Sequence, residues 1–213
     1  AVLGHDLRNP LASIQAGAQL VKRGKLTLDE MLQLTQGSIS RMSALIDNIL
    51  DFARGRLGTG IDLARTEVLL TPTLTQVVDE LRAAAPDRRI AANIAMSESV
   101  FCDPGRIGQL LSNLLGNAVV HGAPGTPIDV EAKVKDGTFE LSVRKAGDPI
   151  PDAALAKLFQ PFFRGEARPS QQGLGLGLYI CSEIARAHGG TLTASSTPEA
   201  TTLLFRMPVK AEF

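Results

Sequence analysis

Tryptophan is absent from the 213 residues, tyrosine occurs once (Tyr179), and aromatic residues make up 4% of the chain. Few rings are available to stack on unpaired bases, which argues against a single-stranded nucleic-acid binder. An excess of one charge is lacking too: 22 Lys and Arg stand against 22 Asp and Glu. No broad basic footprint for nucleic acid or anionic lipid results. The two cysteines, Cys102 and Cys181, are far apart, with no CxxC and no clustered histidine. Neither a disulfide framework nor a zinc site follows; two reduced, buried thiols of a cytoplasmic protein are expected. No run approaches the roughly 18 apolar residues of a membrane-spanning helix, and no signal-peptide pattern opens the chain. No membrane contact is therefore expected of this segment, any anchor of the parent protein lying upstream. With 44% hydrophobic and 21% charged residues, the composition is globular.

Helical periodicity fills the first third. Leu3, Leu7, Leu11, Ile14, Ala18 and Val21 recur every three or four residues and form one apolar stripe. Pro10 interrupts it and is expected to bend the helix. Gly24 can end that helix, and Thr27 with Glu30 three residues on reads as a capping box opening a second. There Met31, Leu34, Met42, Leu45, Ile46, Ile49 and Phe52 make another stripe. A two-helix hairpin cannot bury both stripes, whereas two hairpins can, as a four-helix bundle. A homodimer through residues 1–56 is therefore expected. The chain opens at Ala1 inside the first stripe without a cap, so the helix is expected to continue upstream.

A Gly-rich break follows from Gly55 to Ile61, and the texture then changes. Strand-like runs at Arg89–Ala95, Ile128–Lys135 and Thr138–Arg144 alternate with helical segments at 71–84, 104–120 and 174–188. Thr191–Ser195 and Thr201–Met207 read as a closing hairpin. Without a regular βαβ rhythm, the expected fold class is α+β: an antiparallel helical hairpin over 1–62, then an α/β sandwich over 63–213. Each part is close to neutral, with 7 basic against 6 acidic residues through residue 62 and 15 against 16 beyond it.

Four constellations carry chemistry. His5 lies two residues from both Leu3 and Leu7, about 200° around a helix, so it points away from the apolar stripe. Its neighbour Asp6 can take the ring proton, which leaves the other ring nitrogen a nucleophile. Asn9, one turn on, can orient a water. An ordinary exposed histidine is the plain alternative for His5 taken alone. Asn113, Asn117 and His121, spaced by four, share one helix face opposite a leucine-rich side. Their amide oxygens suit Mg²⁺, which leans on phosphates for its other ligands, or the face is simply solvated. Gly173, Gly175 and Gly177 precede a helix start, where free N–H groups favour anions. Finally, Val143-Arg-Lys-Ala-Gly-Asp-Pro-Ile-Pro151 places Lys145 two residues before Gly147.

Together these segments resemble two-component sensor histidine kinases. His5-Asp-Leu-Arg-Asn-Pro-Leu11 resembles their phosphoacceptor box, and Asn113 to Gly122 their N box. Leu158-Phe-Gln-Pro-Phe-Phe-Arg164 resembles the F box, Gly173 to Leu178 the second glycine box, and residues 143–151 the first. The resemblance covers nearly the whole chain in the family's order.

It implies a phosphotransfer hairpin followed by a Bergerat-type ATP-binding domain. His5 is then phosphorylated from Mg-ATP, Asp6 assists as base, and Asn9 serves dephosphorylation of a response-regulator partner. Asn117 helps hold Mg²⁺. Asn113, His121, Gly147, Ile150, Gly173, Gly175, Gly177 and Leu178 line the nucleotide. Residues 164–173 form a lid on which Arg164 or Arg168 meets the γ-phosphate, with Phe159, Phe162 and Phe163 as supports. The linker around 55–62 must permit domain motion.

Two positions depart from the family pattern. Val120 stands where a Lys or Arg is common. Lys145 stands where an Asp or Asn accepts a hydrogen bond from the adenine amino group, and an ammonium has donors only. Weaker ATP binding than is usual in the family is expected, improved by Lys145→Asn; a slipped register in which Asp148 serves instead is the alternative. The rivals are a dimeric scaffold that binds no ATP, a core acting mainly as a phosphatase, and an ATPase of the gyrase or chaperone type. Asn117-Ala-Val-Val-His-Gly122 is similar to phytochrome-type kinases.

Overall fold

The computed structural model describes residues 2–56, 60–164 and 174–210, the side chains of 2–7 excepted. Helices α1 (Val2–Lys22) and α2 (Leu28–Arg56) form the antiparallel hairpin. Its turn follows from local chemistry. Gly24 takes a left-handed φ of 64°, letting its N–H donate to Val21 O and that of Lys25 to Leu20 O, both at 2.9 Å. The capping box then starts α2: Thr27 N–H donates to Glu30 Oε2 at 2.8 Å, and Glu30 N–H to Thr27 Oγ1 at 3.2 Å. The helices meet closely where Gly17 faces Met31, since a Cβ there would lie 2.7 Å from Met31 Sδ.

The hairpin carries two apolar faces. Met31, Leu34, Met42, Leu45, Ile49 and Phe52 are half-buried. Leu28, Leu32, Ile39, Ile46 and Leu50 are exposed and fall within about 40° of arc on an adjoining side of α2, about 100° around from the first set at 3.6 residues per turn. Leu11 and Ile46, expected on the apolar stripes, are 52% and 48% exposed in the single chain. Helix α2 also continues through Gly55, expected to begin the break, because α2 is packed there on the next domain: a Cβ on Gly55 would meet the Tyr179 hydroxyl at 3.3 Å.

Beyond residue 60 come β1 (Thr66–Val68), α3 (Thr71–Ala84), β2 (Ile90–Ala95), β3 (Val100–Cys102), α4 (Pro104–His121), β4 (Ile128–Lys135), β5 (Thr138–Lys145), α5 (Asp152–Leu155), α6 (Gly177–Ala187), β6 (Thr191–Ser196) and β7 (Thr201–Pro208). The main sheet runs β2-β4-β5-β7-β6, parallel only between β2 and β4, and β1 pairs antiparallel with β3. The short β1, β3 and α5 were not anticipated. Three or four residues give no periodicity to read.

Strict alternation sets the core. Val130, Val143 and Leu203 sit side by side on one face, as do Ala132, Leu141 and Phe205, under Ile107, Leu110, Leu111, Leu114 and Leu115 of α4. The other face carries ion pairs such as Arg206 Nε to Glu140 Oε1 at 2.7 Å. Helix α6 begins three residues later than expected. Gly175, at φ 68°, accepts the Phe162 N–H through its carbonyl at 3.0 Å, which pulls residues 174–176 out of helical geometry.

Candidate functional site

The polar face of α4 organises the site. Its helix starts at Asp103, whose Oδ1 accepts the Arg106 N–H at 3.1 Å and whose Oδ2 accepts that of Ala64 at 2.9 Å, anchoring the inter-domain linker. The Asp103 N–H donates to His188 Nε2 at 3.1 Å, so Nδ1 carries the proton and donates to Ile184 O at 2.8 Å. Burial holds the buried His188 below the usual imidazole range, opposed by Asp103 and by its bond to Ile184 and reinforced by Arg65.

Along α4, Arg106, Gln109, Asn113, Asn117 and His121 follow at intervals of three or four and share one face. Asn113 is half-buried beside Gly177, whose added Cβ would lie 3.7 Å from its amide carbon. Its Nδ2 is buried and, among the described residues, has no hydrogen-bond partner. An orphaned amide donor at a helix face is unfavourable unless a ligand or water completes it. Asn117 is half-buried one turn on. Gly175 makes the adjoining cradle, where any Cβ would come within 2.7 Å of Phe163 O.

At the C-terminal end of α4 two cations replace a left-handed glycine cap. Arg88 donates to Ala118 O and Ala123 O, at 3.4 and 2.9 Å, and Lys145 Nζ donates to His121 O at 3.1 Å. Positive charge suits this end of a helix. Gly122 has no Cβ to spare here; one would lie 2.5 Å from Arg88 Nη2. Lys145 continues the inward alternation of Phe139, Leu141 and Val143, opposite Thr201, and is only 7% exposed. Burial, then Arg88, hold its ammonium below the usual lysine range, with Asp148 opposing. His121 is lowered by burial and by Lys145. Gly147 closes over the same corner at φ 151°, with its Cβ position 3.3 Å from His121 O and 3.9 Å from Lys145 Nζ. Nearby, Ile150 N–H donates to Ser196 Oγ at 2.9 Å, and that hydroxyl is 2.8 Å from the buried Thr201 Oγ1.

Thus His121, Lys145 and Gly147 come together at the C-terminal end of α4, and Asn113 meets Gly177 near its middle. Arg164 is exposed, and Leu178 packs partly against the core. Phe159 also packs on the core, whereas Phe162, at φ 62° and half exposed, reaches the hairpin instead. Its ring stacks edge-on against Phe52 at 4.9 Å, and Phe52 contacts Tyr179 at 5.8 Å. His5, Asp6 and Asn9 lie on α1; the side chains of His5 and Asp6, with Gly173 and Arg168, fall outside the described residues.

A second set of contacts was not foreseen. Asp51, on the last turns of α2 and 4% exposed, accepts from Arg106 Nη1 at 2.7 Å and from Gln109 Nε2 at 3.0 Å. Arg106 also reaches Gln109 Oε1 at 2.8 Å. A cavity of about 460 Å³ lies beside this cluster, between residues 44–54 of α2 and 106–113 of α4. Gln109 was legible as the preceding step of the Asn stripe; nothing around Asp51 signals a long-range partner.

The phosphate end suits a nucleotide: an unspent amide donor, a glycine cradle and the start of α6. Asn117 is the residue that could hold Mg²⁺, an ion that leans on phosphates and water for its other ligands. The described residues hold no cluster of three or more His, Cys, Asp or Glu able to cage a metal. If the base lies at the Lys145–Gly147 corner, as the resemblance implies, Lys145 offers only donors to an adenine amino group. No described helix is long and apolar enough to cross a membrane.

Residues 1–58 match the family described as the His Kinase A (phospho-acceptor) domain. Residues 102–211 match the family described as histidine kinase-, DNA gyrase B-, and HSP90-like ATPase, which implies ATP binding. The bacteriophytochrome of Pseudomonas aeruginosa is 37% identical over 212 residues, 99% of this chain and 29% of that protein. The probable sensor histidine kinase TcrY of Mycobacterium tuberculosis is 32% identical over 211 residues, 96% of this chain and 44% of that protein. Among solved structures, full-length ShkA in complex with AMPPNP is similar with a TM-score of 0.69 at 27% identity, over 99% of this chain and 46% of that one. The chain thus spans less than half the length of these relatives.

Proposed function

Since the chain belongs to the sensor histidine kinases, with their phosphoacceptor hairpin ahead of their ATPase domain, we propose that it moves the γ-phosphoryl group of a magnesium-bound nucleoside triphosphate onto His5. From there the group passes to an Asp of a response regulator. The observation that carries this reading is the unpartnered Asn113 amide on the polar face of α4, beside the glycine cradle and across from the hairpin.

Each residue has a role in the transfer. A ring nitrogen of His5 attacks the γ-phosphorus in line as the bond to the β-phosphate oxygen breaks, and Asp6 takes the ring proton. Mg²⁺ supplies neutralisation of the charge shared between the β- and γ-phosphates. Asn117 holds its water shell or one coordination position, Asn113 donates to a phosphate or its water, and the N–H groups at the start of α6 bind phosphate oxygens. Arg164 meets the γ-phosphate. Catalysis is then largely positioning and charge stabilisation. Asn9 orients the water that dephosphorylates the partner. The exposed stripe from Leu28 to Leu50 supports a homodimer through residues 1–56, since two such stripes bury each other as a four-helix bundle.

Incubation with Mg²⁺ and γ-labelled ATP at saturation tests the proposal. Label that is lost in acid, survives base and disappears in His5→Ala is expected. A chain that binds nucleotide and acquires no label on His5 would refute it. A second reading, a dimeric scaffold that binds no nucleotide, draws on Lys145 and Val120; the same experiment separates the two.

A further inference from the structure

The disagreement between Lys145 and adenine has its own content. The ammonium has three N–H donors, and one is spent on His121 O at 3.1 Å. The other two have no protein acceptor among the described residues, although the side chain is only 7% exposed. The adjoining side is bare glycine: the Cβ position of Gly147 is 3.9 Å from Nζ, and φ 151° there excludes ordinary side chains. Arg88, the other cation of this corner, is committed to carbonyls of Ala118 and Ala123. The described groups nearest Lys145 therefore include a carbonyl already taken and a second cation, with Asp148 exposed at the rim. Among the described residues Nζ bonds a single acceptor, the His121 carbonyl.

We infer that Lys145 is a specificity-determining residue that selects a 6-oxopurine nucleoside triphosphate over ATP. The inference rests on the nucleotide site proposed above, with the base at the Lys145–Gly147 corner. A purine with an amino group at C6 sets N–H donors against N–H donors there and leaves the buried ammonium only the single lone pair of N1. One with a carbonyl at C6 brings two lone pairs, and a charge-assisted hydrogen bond replaces a donor clash. The bond from Lys145 to His121 O fixes the ammonium at the end of α4, so the donors are already positioned before a base arrives.

Inosine triphosphate is the nearest probe, because it differs from ATP only in a carbonyl for the amino group at C6 and in the proton that N1 then carries. Calorimetric titration of the whole chain with Mg²⁺ and ATP, inosine triphosphate or GTP is the measurement. Inosine triphosphate is expected to bind at least about ten-fold more tightly than ATP, the scale of one buried charged hydrogen bond. Lys145→Asn reverses the order, and Lys145→Met, which keeps the stem and removes the donors, levels it. ATP binding as tightly as inosine triphosphate to the native chain would overturn the inference whatever the variants do. So would a chain in which only Lys145→Asn binds any nucleotide. If neither the native chain nor either variant binds any of the three at millimolar concentration, the nucleotide site itself is refuted.

Discussion

Asp51→Ala is the sharpest perturbation available at the contact between the hairpin and the α/β domain. The carboxylate is 4% exposed and receives two hydrogen bonds, at 2.7 Å from Arg106 and 3.0 Å from Gln109. Deleting one member of a fully buried ion pair costs about 3–5 kcal/mol. Here Arg106 is 20% exposed and keeps Gln109 at 2.8 Å, so the guanidinium is neither isolated nor dry. A loss of about 2 kcal/mol is the better figure, the range for hydrogen bonds to charged groups. Neither the five-stranded sheet nor the α1–α2 turn depends on Asp51, so the loss falls on docking and not on the folding of either part. About 2 kcal/mol is roughly a 30-fold shift toward the undocked state. Amide hydrogen exchange reads this directly. Asp51→Ala should raise exchange in 44–54 and 104–113 while β4, β5 and β7 keep their protection. Unchanged exchange in both segments would refute the reasoning, as would a uniform rise across the sheet.

Acid should weaken the fold through His188, which burial, reinforced by Arg65, holds neutral against its bond to Ile184 O and the Asp103 carboxylate. Its folded pKa lies below the unfolded value of about 6.5, so above that pH it contributes no slope. As pH falls below it, the unfolded chain takes up a proton that the folded chain refuses, and stability drops until the folded pKa is passed. His121, lowered likewise, has the same sign. Urea midpoints at pH 7.5 and 5.5 should therefore differ less in His188→Gln than in the native chain; equal differences would rule His188 out. Gly175→Ala puts a Cβ 2.7 Å from Phe163 O at φ 68°, which should cost roughly 1–3 kcal/mol and lower Tm by several degrees. An unchanged melting curve would contradict it. Ile39→Glu with Ile46→Glu puts charge into the exposed stripe of α2 and should convert a dimer to a monomer with its helix content kept, read by sedimentation and circular dichroism. A dimer that survives both changes would place the interface elsewhere.

Long periodic elements were legible, and short or tertiary ones were not. Alternation over eight residues gave β4 with the observed ends and β5 to within a residue. The Thr27–Glu30 box and Gly24 placed the hairpin turn because each acts within four residues of itself. The second apolar face of α2 went unread except for Ile46, which was placed on the first stripe, since a single periodicity does not say which of two apolar arcs a neighbour takes. The start of α6 was set three residues early because Gly175 answers to Phe162, thirteen positions away. In the candidate site, the Asn stripe and the oddity of Lys145 were visible from residue types. The partner of Lys145 was not, since His121 O is a backbone group with no signature in sequence. The Asp51 cluster joins residues more than fifty positions apart, beyond the reach of any local pattern.

Helix α4 connects the two ends of this arrangement. Its 18 residues span about 27 Å at 1.5 Å per residue, and its inner side, Leu110, Leu111, Leu114 and Leu115, is wholly buried. A helix packed in this way moves as a body or stays still; it does not bend easily between two of its own turns. At its start Arg106 and Gln109 hold Asp51 of the hairpin, and at its end the His121 carbonyl holds Lys145. A base that draws the Lys145 ammonium toward itself therefore pulls on the helix that carries the docking residues. Linkage makes the effect mutual: by whatever factor nucleotide shifts docking, docking shifts nucleotide affinity. Asp51→Ala should then change nucleotide affinity although Asp51 sits at the far end of α4, and Lys145→Met should abolish that change. Affinity indifferent to Asp51 would mean that the two ends of α4 act independently.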